Sequence, residues 1–193
     1  MTTRVGIFGG TFDPPHVGHL VTAINVSYEL RLDRLLLVVA HRPWQKLDRP
    51  MTSSEHRFGM VRAAVEQIQG LEASDIELRR GGDSYTIDTL HELQAETDDE
   101  LTVIVGSDTA SGLDSWHRAE ELRSVASFAV VDRPGGQSGL LKGWRCERVS
   151  VPQLNVSSSD IRARVRDGRP LTYLLTVPVV SYIRDYGLYK LAT

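Results

Sequence analysis

At 193 residues, 41% hydrophobic and 24% charged, the chain has the length of one sizeable α/β domain and enough apolar material for a core. A net charge of -3 argues against a polyanion-binding surface over the whole molecule, so no nucleic-acid partner is expected and anion chemistry must come from a local cluster. Cys146 is the only cysteine, which excludes an intramolecular disulfide and fits a cytoplasmic protein with a buried, inert thiol. The N-terminus lacks the features of a signal peptide, and no run approaches ~18 apolar residues, so no membrane-spanning helix is expected.

Taken in order, the apolar runs alternate between strand and helix patterns. Val5–Phe8 reads as a short buried strand, and Val17, Leu20, Val21, Ile24 and Tyr28 then recur at helical spacing. Leu35–Val39 is apolar at every position, as in a strand covered on both faces. A helix is expected from about Ser53, with Thr52 and Glu55 as a capping box and Phe58, Val61, Val65 and Ile68 on one face. Asp75–Leu78 alternates and is expected to be a third, more exposed strand; Ile87, Leu90 and Leu93 fit a helix. Leu101–Val105 and Ser127–Val131 are further buried strands. Arg133–Arg145 is glycine-rich and reads as a loop. After Val149–Val151 the chain is expected to be helical to its end, with Pro178 at a helix start and Gly187 at its stop. The pattern implies one α/β domain over 1–193, a doubly wound Rossmann-like parallel sheet with a helical cap over about 157–193.

The most informative stretch runs from Gly9 to His19, between the first strand and its helix. In open α/β sheets, ligands bind at that end of the strand. Gly9 and Gly10 let backbone approach a phosphate, and the helix start offers free N–H groups. His16 and His19 are three apart and project to one side, a cradle for a polyphosphate. Two histidines without a third acidic or thiol partner make a poor metal site. Neither the dinucleotide nor the Walker fingerprint matches.

The run Gly9-Gly10-Thr11-Phe12-Asp13-Pro14-x-His16-x-Gly18-His19 resembles the signature of the HxGH nucleotidyltransferase superfamily, whose members transfer a nucleotidyl group from a nucleoside triphosphate to a phosphate-bearing acceptor. A second stretch, Val156–Arg162, reads physically as a serine-capped helix start with Arg162 one turn in, where a guanidinium can fork onto phosphate. It is similar to the serine-rich motif of the same superfamily. Lys46, after the second strand, is either a point charge for a phosphate or a solvated loop lysine. The resemblance implies catalytic roles for His16, His19, Lys46 and Arg162, and ATP contacts at Gly9, Gly10, Thr11, Phe12, Gly106, Asp108, Arg133 and Ser158.

Gly82–Leu90 reads as a turn and helix start capped by Thr86 or Ser84. Asp108 follows a buried strand, where a carboxylate often accepts from ribose, and Trp116 lies among polar residues where it can stack on a flat ring. Together these segments resemble the acceptor pocket of bacterial nicotinate-mononucleotide adenylyltransferases, and the resemblance extends through Gly187–Tyr189 near the end of the chain. It implies that Ser84, Tyr85, Thr86, Asp108, Trp116 and His117 bind nicotinate mononucleotide, that AMP is transferred to it from ATP in NAD biosynthesis, and that Mg²⁺ arrives on ATP rather than in a protein cage. Other acceptors in the same superfamily (nicotinamide mononucleotide or phosphopantetheine), a non-catalytic nucleotide sensor, and a homo-oligomeric assembly remain open at this point.

Overall fold

In the computed structural model, which describes residues 2–43, 51–132 and 142–190, the chain builds one six-stranded parallel sheet. The strands are β1 (Arg4–Gly10), β2 (Arg34–Val39), β3 (Leu71–Ser74), β4 (Glu100–Gly106), β5 (Ser127–Asp132) and β6 (Cys146–Ser150), in the order β3-β2-β1-β4-β5-β6. β1 is central, paired in register with β2 (Ile7 to Leu36) and with β4 (Ile7 to Val103). The chain therefore winds outward to β3, returns across β1, and winds outward again to β6. This is the doubly wound order expected from the alternating pattern.

The inner strands feed two cores because side chains alternate across the sheet. Leu35, Leu37 and Val39 face one layer with Ile104, Ala129 and Val131. That layer is closed by α1 (Val17–Glu29), α2 (Ser54–Val65), α7 (Ser158–Arg166) and α8 (Val177–Asp185). Leu36 and Val38 face the other with Val5, Ile7, Val103 and Phe128. Its cover includes α3 (Ile76–Arg80), α4 (Thr86–Glu96), α5 (Ser107–Ala110) and α6 (Ala119–Val125). Trp144 anchors the return to β6, its Nε1–H donating to Asp114 at 2.9 Å and its ring edge-on to Phe128.

Four local expectations need correction. In α1 the buried residues are Leu20, Ala23 and Val26, while Ile24 and Tyr28 are 46% and 81% exposed; the small Ala23, not the larger Ile24, faces the sheet. The α2 cap is Ser53, whose hydroxyl accepts from the His56 N–H, and the helix ends before Ile68. Thr52 is thereby released for other contacts. Asp75–Leu78 is not a strand: β3 precedes it, and one helical turn buries both Ile76 and Glu77. The late region is two helices separated by an irregular stretch, and the sheet gains β6 as its edge. Pro178 does lie in the first turn of α8, and Gly187 follows it with φ 62°. Cys146 is half-buried, and burial pushes its thiol up, away from reactivity. Among the described residues no helix is long and apolar enough to cross a membrane.

The phase of α1 gives a direct test. Leu20→Ala is expected to lower the unfolding free energy by roughly 2–4 kcal/mol, since it empties a packed site. Tyr28→Ala is expected to change it by under about 0.5 kcal/mol. Urea denaturation of the two variants decides; equal losses would mean the buried stripe is wrongly placed.

Candidate active site

A cavity of about 310 Å³ opens at the carboxyl ends of β1 and β4, where the winding reverses. That size suits a small ligand. Gly9, Gly10 and Thr11 line it from β1, and Gly106 from β4. Gly9 and Gly106 are informative because neither has a positive φ. A Cβ at either would meet no atom within 4 Å. Packing and backbone conformation leave both positions free to carry a side chain, so their bareness is explained by space kept for a ligand.

Beside this cavity the loop from Thr11 leads into α1. His16 is the N-cap of α1 and is 9% exposed. Its N–H donates to Nδ1 of His19 at 3.1 Å. An accepting Nδ1 places the proton of a neutral His19 on Nε2. The two rings stack with centroids 3.8 Å apart. Phe12 is buried in the core and stands edge-on to His19 at 5.0 Å; neither it nor His16, His19, Ser158 or Arg162 belongs to the cavity lining, so the phosphate-facing set lies beside the cavity rather than in it. A Cβ on Gly18 would crowd the His16 ring and Val156 at 3.0–3.1 Å, which explains a glycine between the histidines. Nδ1 of His16 is buried without a hydrogen-bond partner, an orphan that a ligand atom can satisfy. The first helical N–H, that of Val17, is already taken by the Leu174 carbonyl at 3.0 Å. Side chains, more than that amide, are left to meet an anion.

The start of α7 docks on the same loop. Ser158 Oγ donates to the Pro14 carbonyl at 2.8 Å, and Arg162 Nη1 donates to the Asp13 carbonyl at 2.7 Å. Ser157 caps α7, accepting from the Asp160 N–H at 3.1 Å. The structure thus brings together His16, His19, Ser158 and Arg162, which lie about 140 residues apart in sequence.

Acceptor candidates converge on the cavity itself. Ser84, Tyr85, Thr86, Trp116 and His117 all line the cavity. Tyr85, not Thr86 or Ser84, is the N-cap of α4, and it makes no side-chain capping bond. The first-turn N–H groups of α4 have no acceptor within the helix, so this end presents donors. Ser84 is committed elsewhere: its N–H donates to the Arg42 carbonyl and its Oγ accepts from the Arg42 N–H, both at 3.1 Å. The His117 ring stacks on Tyr85 at 4.3 Å. Asp108 lies exposed on α5, outside the cavity lining, although Gly106 two residues earlier is in it. Lys46 and Arg133 fall outside the described residues.

Two charged residues of this site carry no signal in the sequence. Arg57, on α2, is 1% exposed. Its guanidinium donates to the carbonyls of Thr52, Thr11, Ala40 and His41, at 2.6–3.2 Å. Glu77 is 7% exposed and lines the cavity. It accepts from the His41 N–H at 3.3 Å and from the Thr89 hydroxyl at 3.1 Å. Arg57 lies in a helix whose apolar face dominates its pattern, and Glu77 in a segment that alternates like a strand.

Burial lowers the His16 pKa from 6.5 to about 4. Between those values the unfolded chain takes up a proton that the folded chain refuses, so stability rises with pH across the window. The contribution is fully present above pH 6.5 and is lost as pH falls towards 4. His16→Gln is therefore expected to flatten the decline in unfolding free energy between about pH 6.5 and 5, measured by urea titration at several pH values. A decline unchanged in the variant would place the proton uptake elsewhere.

Residues 7–164 match the cytidylyltransferase-like family. A probable nicotinate-nucleotide adenylyltransferase of Acidothermus cellulolyticus is 40% identical over 97% of this chain and 94% of its own length. One from Streptomyces coelicolor is 42% identical over 94% of this chain and 98% of its own length. Among solved structures, Plasmodium falciparum nicotinic acid mononucleotide adenylyltransferase complexed with NaAD superposes with a TM-score of 0.81, each chain covered to 97%; at 20% identity that likeness speaks for the fold. With matches of this breadth, the chain belongs to the cytidylyltransferase-like family and, within it, to the nicotinate-nucleotide adenylyltransferases.

Proposed function

We propose that this chain transfers the AMP part of ATP to nicotinate mononucleotide, giving nicotinate adenine dinucleotide and pyrophosphate for NAD synthesis. The observation that carries this reading is one cavity lined both by Gly9, Gly10 and Gly106 and by Tyr85, Trp116 and the start of α4. An adenylyl donor and a flat-ringed acceptor need such a shared cavity. The relatives named above supply the substrates.

The reaction is an in-line displacement. A phosphate oxygen of nicotinate mononucleotide forms a bond to the α-phosphorus, and the bond from that phosphorus to the bridging oxygen breaks, releasing pyrophosphate. The acceptor phosphate is largely ionised near neutral pH, so no general base is required. Rate enhancement then rests on positioning and on meeting charge at the phosphate oxygens. His19 offers Nε2–H, His16 a neutral ring, and Arg162 a guanidinium aimed by the Asp13 carbonyl. Ser158 holds the loop, Lys46 is assigned to the triphosphate, Asp108 to a ribose and Arg133 to the adenine end. The phosphate-facing set is imidazole and guanidinium, which suits phosphate and not a hard cation. Among the described residues no three His, Cys, Asp or Glu side chains converge as metal ligands. Mg²⁺ is assigned to the ATP phosphates, where it would neutralise charge. Thr86 and the α4 N–H groups are assigned to the nicotinate carboxylate, and Trp116 to the ring. We place the enzyme in the cytoplasm, as one domain over 1–193 with α7 and α8 as its helical cap.

Pyrophosphate release with ATP and a panel of phosphorylated acceptors tests the reading. His19→Ala is expected to lower kcat about a hundredfold or more, with a much smaller change in ATP affinity; wild-type turnover in that variant would remove His19 from the phosphate cradle. Nicotinate mononucleotide is expected to exceed its nicotinamide counterpart in kcat/KM by about a hundredfold, because donors set for a carboxylate are left unpaired by an NH₂ group. Trp116→Ala should weaken both acceptors alike. Equal use of both by the wild type would mean dual specificity, turnover with phosphopantetheine a different transferase, and no release with any acceptor a nucleotide sensor.

A further inference from the structure

Asp13 is a carboxylate 5% exposed, three residues before His16 on the phosphate loop. Its carbonyl holds Arg162. Its side chain is held from two remote parts of the chain: Tyr189 Oη–H donates to Oδ1 at 2.7 Å, and the Thr52 N–H donates to Oδ2 at 3.3 Å. Tyr189 lies beyond α8, has φ 66° and does not line the cavity. That left-handed conformation is sparsely populated for a residue with a side chain, and persists where tertiary contacts over-determine it.

We propose that Tyr189 is a positioning residue for the phosphate side of the site: by donating to Asp13 it fixes the loop whose carbonyl aims Arg162 and whose continuation carries His16 and His19. The inference rests on the proposed adenylyl transfer. An anionic Asp13 beside a polyphosphate would be repulsive if mobile. Held by Tyr189 and Thr52, and attracted to the Arg57 charge, it faces inward. Burial, followed by the Asp13 charge, pushes the Tyr189 phenol well above its usual range, so it stays a donor at any assay pH. Without the hydroxyl, Oδ1 loses this donor in a buried site, and the loop is free to turn the Asp13 carbonyl away from Arg162. The acceptor wall, built from α4 and residues 116–117, is untouched.

Tyr189→Phe removes one oxygen and tests this cleanly. Steady-state pyrophosphate release with each substrate varied in turn is expected to show kcat down about tenfold, the effect of losing one hydrogen bond to a charged group, with the KM of nicotinate mononucleotide within about twofold of wild type. Asp13→Asn should cost much less in the Tyr189→Phe background than in wild type, as expected of two residues acting through one contact. A kcat within about twofold of wild type, a matching rise in acceptor KM, or full additivity with Asp13→Asn would overturn the inference. If wild type binds ATP without releasing pyrophosphate, the adenylyl-transfer reading fails instead. Calorimetric ATP affinity then decides for Tyr189: about fivefold weakening in Tyr189→Phe upholds the latch, and unchanged affinity overturns it.

Discussion

The carboxyl edge of the sheet is held together by one buried guanidinium. Parallel strands β1 and β2 end side by side, and past their ends the carbonyls of Thr11, Ala40 and His41 lie beyond the paired register. Arg57 reaches all three from α2, and a fourth at Thr52. Its donors form a rigid, permanently charged fork, which suits several carbonyls at diverging angles. Burying that charge costs several kcal/mol, and charge-assisted hydrogen bonds offset it. An apolar side chain of similar volume would leave four carbonyls without this donor, each at about 1–3 kcal/mol. The floor of the cavity therefore depends on a residue that never touches it.

From this clamp the charges of the site can be followed outward. Thr52, held by Arg57 through its carbonyl, uses its N–H on Asp13. Asp13 carries Arg162 on its carbonyl, and Glu77 gathers the His41 amide and the Thr89 hydroxyl on the acceptor side. Both buried carboxylates accept hydrogen bonds from identified donors, as buried charge requires. Arg162 is left half-buried at the mouth of the loop. A chain of net charge -3 thereby keeps a guanidinium at the phosphate loop, where an anionic substrate needs one.

Much of this was legible in the sequence where a single physical demand governs many consecutive residues. Leu35–Val39 is apolar throughout because both faces are covered, and it forms β2. The Gly9–His19 run could be placed at a strand end because a buried strand precedes it and an amphipathic helix follows. The sequence misleads where two demands share few residues. Asp75–Leu78 alternates like a strand, yet it is a single turn of helix that buries Ile76 in the core and Glu77 against Thr89. In α1 the helical period holds but its phase is shifted, because the small Ala23 faces the sheet where bulk alone favours Ile24. Arg57 leaves no local trace, since its partners lie 5–46 residues away, and Tyr189 shows only as part of a C-terminal resemblance, its contact with Asp13 lying 176 residues away.

The spacing of the two histidines follows from the same economy of space. At the N-cap and the third helical position the rings meet face to face, 3.8 Å apart, and the backbone N–H of one fixes the tautomer of the other. Two imidazolium rings at that separation would repel, so the stack requires that at least one be neutral. Burial supplies that condition by holding His16 uncharged through the physiological range. Gly18 completes the arrangement: any side chain there would push against the His16 ring or against Val156, displacing the ring or the approach to α7. A bulkier residue at position 18 would thus press on the histidine stack and on Val156, two residues before α7, together.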